Sequence, residues 1–356
     1  MKTRKITVGL LFGGRSAEHK ISVDSAAAVF RHLDKRYYRT RCLYINKKGE
    51  WREVASPLLS PSDLGRGRFS PFLPWQNGGL ARTFSADIYF PILHGPYGED
   101  GTIQGLLEMA GRPYVGAGVT PSALGMDKAL QKALFAARGL PVVKHRVILE
   151  KDWLRQRKAI LAEVHDSLGL PLFVKPANLG SSVGITKVKS QARLAAAILT
   201  AFRYDRKILV EEGITGRELE CSVLGNDHPA ASLPGELIPF REFYDYEDKY
   251  LENKTKFIIP AVLPPDTVRQ VRQTALAAFQ AVDGNGMARV DFLLEQGSGR
   301  LYLSEINTIP GFTDISMYPR LWERSGLPFP RLLDRLIRLG FEHHAARKNC
   351  LERGRP

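Results

Sequence analysis

Cysteine is scarce in this sequence: Cys42, Cys221 and Cys350 are all that 356 residues contain. Three scattered thiols exclude a disulfide framework and any cysteine-based metal knuckle, and they fit a reduced, cytoplasmic compartment. Long apolar runs are missing too, and none approaches the ~20 residues a bilayer-spanning helix needs. The opening, MKTRKITVGLLFGGRS, sets basic residues before an apolar run as a secretory leader does. That run is short and no small-residue cleavage site follows, so it reads as a first buried strand. Neither GxxxxGK[ST] nor GxGxxG occurs, which excludes the common phosphate loop and the dinucleotide fingerprint. Internal repeats and low-complexity stretches are absent. Acidic residues are in deficit, 37 Asp and Glu against 51 Lys and Arg, for a net charge of +14. Nucleic acid is the obvious partner for such a balance. The basic residues are spread along the chain, however, with no block and no aromatic-basic reader motif. They suit a solvated surface that helps anionic nucleotides approach, with no nucleic acid and no membrane partner expected.

What is present is the composition of an ordinary globular protein, with 44% hydrophobic and 25% charged residues. The length suggests two or three domains. In the first third, strand-like ITVGLLF, TRCLYIN and ADIYFPIL alternate with helical SAAAVFRHL, the pattern of a small parallel α/β domain. Residues 53–80, rich in Pro, Gly and Ser, read as an irregular connection. SALGMDKALQKALFAARG reads as one helix stopped at Gly139 before Pro141. Strands follow at PLFVK, ITKVK, KILVEE and RELECSVLG, with a helix near ARLAAAILTAF. Further on come a polar segment, REFYDYEDKYLENKTKF, a helix from Thr267 to about Val282, a hairpin, and a last helix, FPRLLDRLIRLGF. EHHAARKNCLERGRP, after Phe341, lacks apolar periodicity and reads as a basic, mobile tail.

The hairpin MARVDFLLEQGSGRLYLSEINTIPGF is the most informative segment. Two strand-like runs flank QGSG, a turn signal. A turn centred on Ser298 sets Asp291 opposite Glu305 and Arg289 opposite Asn307, and strand alternation then puts all four on one face. Two carboxylates and an amide oxygen make a hard-oxygen set suited to Mg²⁺, which keeps waters and takes substrate phosphates. One Asp and one Glu alone would read as a solvated edge; four such residues in register do not. A slip of one residue would scatter them.

Two other segments point to a nucleotide. In PLFVKPANLGSSVGITKV a strand ends at Lys175, and NLGSSVG supplies backbone N–H groups and hydroxyls for a phosphate. Many tight hairpins look similar. ILVEEGITGRELECSVLG places Glu211 and Glu218 on two strands joined by a short linker, where carboxylates could take an adenine amine or ribose hydroxyls. Taken singly, such residues default to surface carboxylates.

Together and in order, these segments resemble the ATP-grasp ligases. GGRSAEHKIS, HGPYGEDGTIQG, GMDK, KPANLGSSVG, YDYEDKY and EINTIPGFTDISMYP narrow the likeness to the D-alanine–D-alanine ligases, over nearly everything from Val8 to about Leu339. The fold so implied is α/β (mixed α+β): an N-terminal parallel α/β domain at 1–122, then an ATP-grasp fold in two parts, 123–215 and 216–341, with the tail at 342–356.

The resemblance also implies roles. ATP would phosphorylate the carboxylate of one D-alanine, and the amine of a second would displace phosphate. Asp291, Glu305 and Asn307 would hold two Mg²⁺ ions, with Mn²⁺ possible. Lys128, Lys175, Ser181, Ser182, Glu211, Glu212, Glu218, Lys249 and Asn307 would hold ATP. Glu18 would pair with the first D-alanine's ammonium, where the plain alternative is a carboxylate favourable to a helix start. Ser181 and Tyr250 would hydrogen-bond Glu18 and each other and fix a loop at 243–254 over the site. Arg289 and the backbone N–H of Gly311 would stabilise the oxyanion. Ser316, with Lys249, would take the second D-alanine's carboxylate beside Met317. His94 is a substrate contact or a structural histidine at a strand end. A homodimer is implied. A D-alanine–D-lactate ligase is the nearest rival, and Tyr250 in YDYEDKY, which becomes Phe or is replaced there, favours the dipeptide. A non-catalytic nucleotide-binding module is the rival from another class.

Overall fold

The computed structural model describes residues 4–67, 75–76, 79–80, 85–180, 183–238 and 255–353. The first strand, β1 (Ile6–Gly13), is the segment that mimics a leader; it is buried between two parallel neighbours. Helix α1 (His19–His32) packs on it through Ser22, Ser25 and Ala26–Ala28, small residues that let helix and strand approach closely. The Ser22 hydroxyl accepts the Gly13 N–H at 2.7 Å and donates to the Ile92 carbonyl, so α1 is pinned to two strands. Next come β2 (Tyr38–Ile45), β3 (Trp51–Val54), the one-turn α2 (Pro61–Leu64), the short β4 (Trp75–Gln76) and β5 (Gly79–Leu80), β6 (Ile88–Ile92) and α3 (Thr102–Met109). The expected irregular connection at 53–80 is therefore interrupted by a strand end, a helical turn and a two-residue ribbon. The sheet order is β3-β2-β1-β6, parallel except for the edge strand β3.

The helix expected over 122–139 is two helices, α4 (Val119–Met126) and α5 (Lys128–Ala137), broken at Asp127. Asp127 is extended, and its carboxylate accepts the N–H groups of Ala129 and Leu130, an N-cap that starts α5 afresh. A second sheet, β7-β10-β8-β9, is built from β7 (His145–Leu149), β8 (Leu172–Pro176), β9 (Thr186–Val188) and β10 (Lys207–Glu212). Helices α6 (Glu150–Ser167) and α7 (Gln191–Ala201) cover it, burying Trp153, Ile160, Val164, Leu194 and Ile198 against its aliphatic face.

The third sheet runs β14-β13-β11-β15-β16, with β12 also on β11. Its strands are β11 (Gly216–Gly225), β12 (Ala230–Ala231), β13 (Gly235–Ile238), β14 (Lys256–Ile258), β15 (Gly286–Glu295) and β16 (Leu301–Asn307), with α8 (Pro265–Ala281) packed on one face. Then come α9 (Met317–Arg324) and α10 (Phe329–Arg353). Leu332, Leu333, Leu336, Ile337 and Leu339 of α10 enter the same core as β1 and β6, so the chain's end closes the domain of its beginning. The stretch after Phe341 is not a tail: α10 continues through it to Arg353, and Arg347 pairs with Glu108 at the end of α3. Periodicity ceases there because the helix runs out along the surface, held by charge instead of apolar burial.

Candidate active site

The hairpin of β15 and β16 carries the pairs its sequence led us to expect, Arg289 with Asn307 and Asp291 with Glu305. It reaches them by another route. Near the turn the partners are Leu294 with Leu301 and Phe292 with Leu303, a register centred half a residue earlier, and Ser304 is an unpaired extra residue that restores the site register. Burial records the same step, since Leu301, Leu303 and Ile306 point into the core while Ser304 and Glu305 both lie on the other side.

On that face Arg289 donates to both oxygens of Asp291, at 2.7 and 2.6 Å, and stands 3.2 Å from Glu220 on β11. The Asn307 amide donates to Asp291 at 3.0 Å, and Lys128 lies 3.2 Å from Glu305. Burial opposes the charge on Arg289, but Asp291 and Glu220 outweigh it and raise its pKa further. Among the described residues no group of three or more His, Cys, Asp and Glu is gathered as a metal cluster. Two carboxylates and the Asn307 amide oxygen nonetheless fit a hard cation that completes its shell with phosphate oxygens and water. Two such ions are not evident from this donor set alone.

The second sheet faces the hairpin with a buried charge network. Lys175 is buried at the end of β8, 2.7 Å from Glu211, and Glu211 is in turn 3.3 Å from Lys132. Burial pushes the Glu211 carboxyl up, but the two lysines outweigh it and the net shift is downward. Lys128 also donates to the Leu179 carbonyl at 2.8 Å; burial would lower its pKa, and Glu305, Glu99 and Glu211 together raise it. Glu212 ends β10, and Glu218 stands on β11 beyond Gly213–Thr215, so the linker joins two different sheets and the cleft lies between them. Lys132, Glu99 and Glu220 escaped the sequence reading. The i, i+4 spacing of Lys128 and Lys132 was the available signal for Lys132, since it places both on one face of α5.

Glu18 is the N-cap residue of α1, yet its side chain makes no cap hydrogen bond. Its carboxylate is seated where a Cβ on Gly95 or Gly180 would come within 2.8 or 2.7 Å of Oε2. Glycines on two separate loops thus leave room for one carboxylate. Glu99, partly buried, accepts the Gly95 N–H at 2.7 Å; burial, and then the neighbouring Glu18 carboxylate, push its pKa up to about 8. His94 is buried, with Nδ1 3.1 Å from the Ile309 carbonyl and Nε2 3.3 Å from the Ser25 hydroxyl. A carbonyl only accepts, so Nδ1 carries the proton, and Ser25 donates to Nε2 while accepting the Phe312 N–H at 3.2 Å. Both ring nitrogens are engaged within the protein, which is the structural alternative for His94. Ser316 precedes α9, and its hydroxyl accepts the Thr313 N–H at 3.0 Å close to Gly311. Met317 is buried, its methyl against Gly235. Ser181, Ser182, Lys249, Tyr250 and the loop at 243–254 lie outside the described residues.

Glu18, Glu99, Lys128, Lys175, Glu211, Arg289, Asp291, Glu305, Asn307 and Ser316 all line one cleft of about 1250 Å³. An anionic pocket for an ammonium and, in the same cleft, paired lysines and carboxylates suit a small amino acid beside a nucleotide. Comparison with known proteins gives the same direction. The family model described as D-ala D-ala ligase N-terminus matches residues 7–117, and that for the D-ala D-ala ligase C-terminus matches 134–338. The D-alanine–D-alanine ligase of Heliobacterium modesticaldum is 46% identical, covering 98% of each chain. That of Solibacter usitatus is 49% identical over 96% of this chain and 97% of its own. Among solved structures, the D-alanine–D-alanine ligase from Coxiella burnetii superposes with a TM-score of 0.87 at 38% identity, covering 98% of this chain and 97% of that one. The VanG D-Ala:D-Ser ligase from Enterococcus faecalis gives 0.84 at 34%, covering 95% and 100%. Matched along both halves and in its three-sheet fold, the chain belongs to the D-alanine–D-alanine ligase family, within the ATP-grasp ligases.

Proposed function

We propose that this protein joins two D-alanines into D-alanyl-D-alanine at the expense of ATP, through a D-alanyl phosphate, to supply peptidoglycan precursors in the bacterial cytoplasm. The observation that carries this reading is that Glu18 and the Asp291–Glu305 face line one cleft, with Glu99 close enough to feel Glu18, Lys128 and Arg289 together. Glu18, in its glycine cradle, takes the first D-alanine's ammonium and leaves that substrate's carboxylate directed along the cleft. Lys128 and Lys175 hold phosphate oxygens of ATP, Glu211, Glu212 and Glu218 the adenosine portion. The γ-phosphoryl group passes to the carboxylate and ADP forms. The second D-alanine, held by Ser316 at the start of α9, gives up an ammonium proton to water, and its amine attacks the carbonyl carbon. Arg289 and the Gly311 N–H steady the oxyanion until phosphate leaves.

Asp291, Glu305 and Asn307 would hold Mg²⁺ or Mn²⁺, which supplies charge neutralisation to the transferring phosphoryl group. Ser181, Tyr250 and Lys249 complete the site on the strength of sequence resemblance, and a homodimer is the expected assembly. Coupled ADP release with D-alanine alone, followed by product analysis with D-lactate or D-serine added, tests the assignment. Dipeptide of D-alanine should dominate in every mixture at neutral pH; mainly ester, or mainly the D-serine product, would reassign the acceptor. No ADP release with any of the three would sink the ligase reading for this chain.

A further inference from the structure

Helix α5 grips β16 at its bulge. Lys128, Gln131 and Lys132 share one helix face. Gln131 Oε1 accepts the Ile306 N–H at 2.9 Å, Lys132 Nζ donates to the Ser304 carbonyl at 3.1 Å, and Lys128 stands 3.2 Å from Glu305. Three consecutive residues of β16 are therefore held from a single helix. Ser304 has no partner in the β15 ladder, so a side chain supplies the contact that a regular strand pair would give.

Lys132 is fully buried, which lysines seldom are unless paired. Its ammonium faces the Ser304 carbonyl and, 3.3 Å away, the Glu211 carboxylate, whose other oxygen holds Lys175 at 2.7 Å. For stability alone, a well-packed apolar side chain can serve as well as a buried ion pair. An apolar chain could not join a strand bulge to the carboxylate–lysine pair on the opposite sheet.

We propose that Lys132 is the positioning residue of the metal–nucleotide site, fixing the Ser304 bulge, and with it Glu305 opposite Asp291, relative to the Glu211–Lys175 pair. This inference rests on the MgATP reading given above. Lys132 touches no reacting atom; it acts through Glu305 and Lys175.

Calorimetric titration with ADP, with and without Mg²⁺, separates metal binding from turnover. Mg²⁺ should tighten ADP binding in wild type, and Lys132→Met should reduce that gain about ten-fold or more, the usual loss when a group behind a metal ligand is removed. The Mg²⁺ concentration for half-maximal ADP release should rise in parallel, while KM for D-alanine should stay unchanged because the partners of Lys132 are Ser304 and Glu211 and the glycine cradle of Glu18 is left intact. A folded Lys132→Met that keeps the full gain overturns the inference, whatever its melting temperature. Should that variant fail to fold, Lys132→Gln, which is polar but brings no charge to Glu211, is read in the same terms. Absence of any Mg²⁺-dependent gain in wild type overturns the metal reading and this inference together; a wild-type gain retained by the variants overturns this inference alone.

Discussion

Arg289 occupies both carboxylate oxygens of Asp291, two residues along the same strand face. A cation bound at Asp291 must share or displace that fork, and displacement would leave the guanidinium free to face the cleft with Glu220 as its remaining close anchor. On the roles proposed for Asp291 and Arg289, displacement would make metal loading and the freeing of an oxyanion donor one event. The prediction concerns Asp291→Asn. Turnover should fall on the order of 10²-fold or more, since charge stabilisation by a bound cation is worth several kcal/mol. Stability should fall as well, because the largely enclosed Arg289 loses the charge of its bidentate partner. ADP-release kinetics and thermal melts check both, and turnover within a few-fold of wild type would remove Asp291 from the ligand set.

Gly180→Ala separates binding from folding. Its Cβ would sit 2.7 Å from the Glu18 Oε2, the end of a flexible side chain that can move aside. Backbone cost is small, so the melting temperature should hardly change. The displaced carboxylate, however, no longer meets the first substrate's ammonium. We expect KM for D-alanine to rise about ten-fold, the equivalent of roughly 1.4 kcal/mol, with little change in KM for ATP. An unaltered D-alanine KM would mean that Glu18 does not bind it.

Glu99 gives a pH signature. Its folded pKa of about 8 lies above the ordinary 4.5, so the folded state retains a proton that the unfolded state releases between those values. Stability from this group is full below pH 4.5 and is lost as pH rises through 8. Glu99→Gln keeps an acceptor for the Gly95 N–H and cannot ionise. The variant should match wild type in mild acid and exceed it above pH 8, by a few kcal/mol on the order set by the shift. Melting curves from pH 5 to 9 decide this, and a constant difference across that range would show that Glu99 titrates normally.

Histidine 94 offers the contrast between a structural and a substrate-binding role. His94→Leu would leave the Ile309 carbonyl and the Ser25 hydroxyl short of a partner, at a cost of about 1–3 kcal/mol. The folded fraction should keep its D-alanine KM. A raised KM with unchanged stability would restore the direct contact.

The hairpin was legible from sequence because strand alternation makes facing residues a matter of counting, and the shared face of Arg289, Asp291, Glu305 and Asn307 depends on little else. What counting missed was the bulge, although the apolar positions Leu301, Leu303 and Ile306 of LYLSEIN step two and then three residues, the mark of an inserted one. Lys132 and Glu99 were not legible as site residues. Their significance comes from partners such as Glu211 and Glu18, brought close only by the fold. Helix α6 passed unremarked because EKDWLRQRKAILAEVHDS is largely polar and buries only Trp153, Ile160 and Val164. The C-terminal end of α10 was taken for a tail because an ion pair to Glu108, not an apolar stripe, holds it in place.

The bulge at Ser304 also sets rules for how this hairpin can drift in length. Between Leu303 and Asn307 only the extra residue is expendable: without Ser304 the ladder would run from Phe292–Leu303 straight to Asp291–Glu305, whereas loss of Ile306 would carry Asn307 opposite Val290 and onto the core face. Around the exposed turn at Gln296–Arg300, residues can be gained or lost on the outer side without altering the pairs at Asp291 and Arg289. Length variation among descendants of this chain should therefore collect at the tip of the hairpin and at Ser304 and be missing from Glu305 to Asn307, so that a frame of four residues is preserved while the turn above it changes freely.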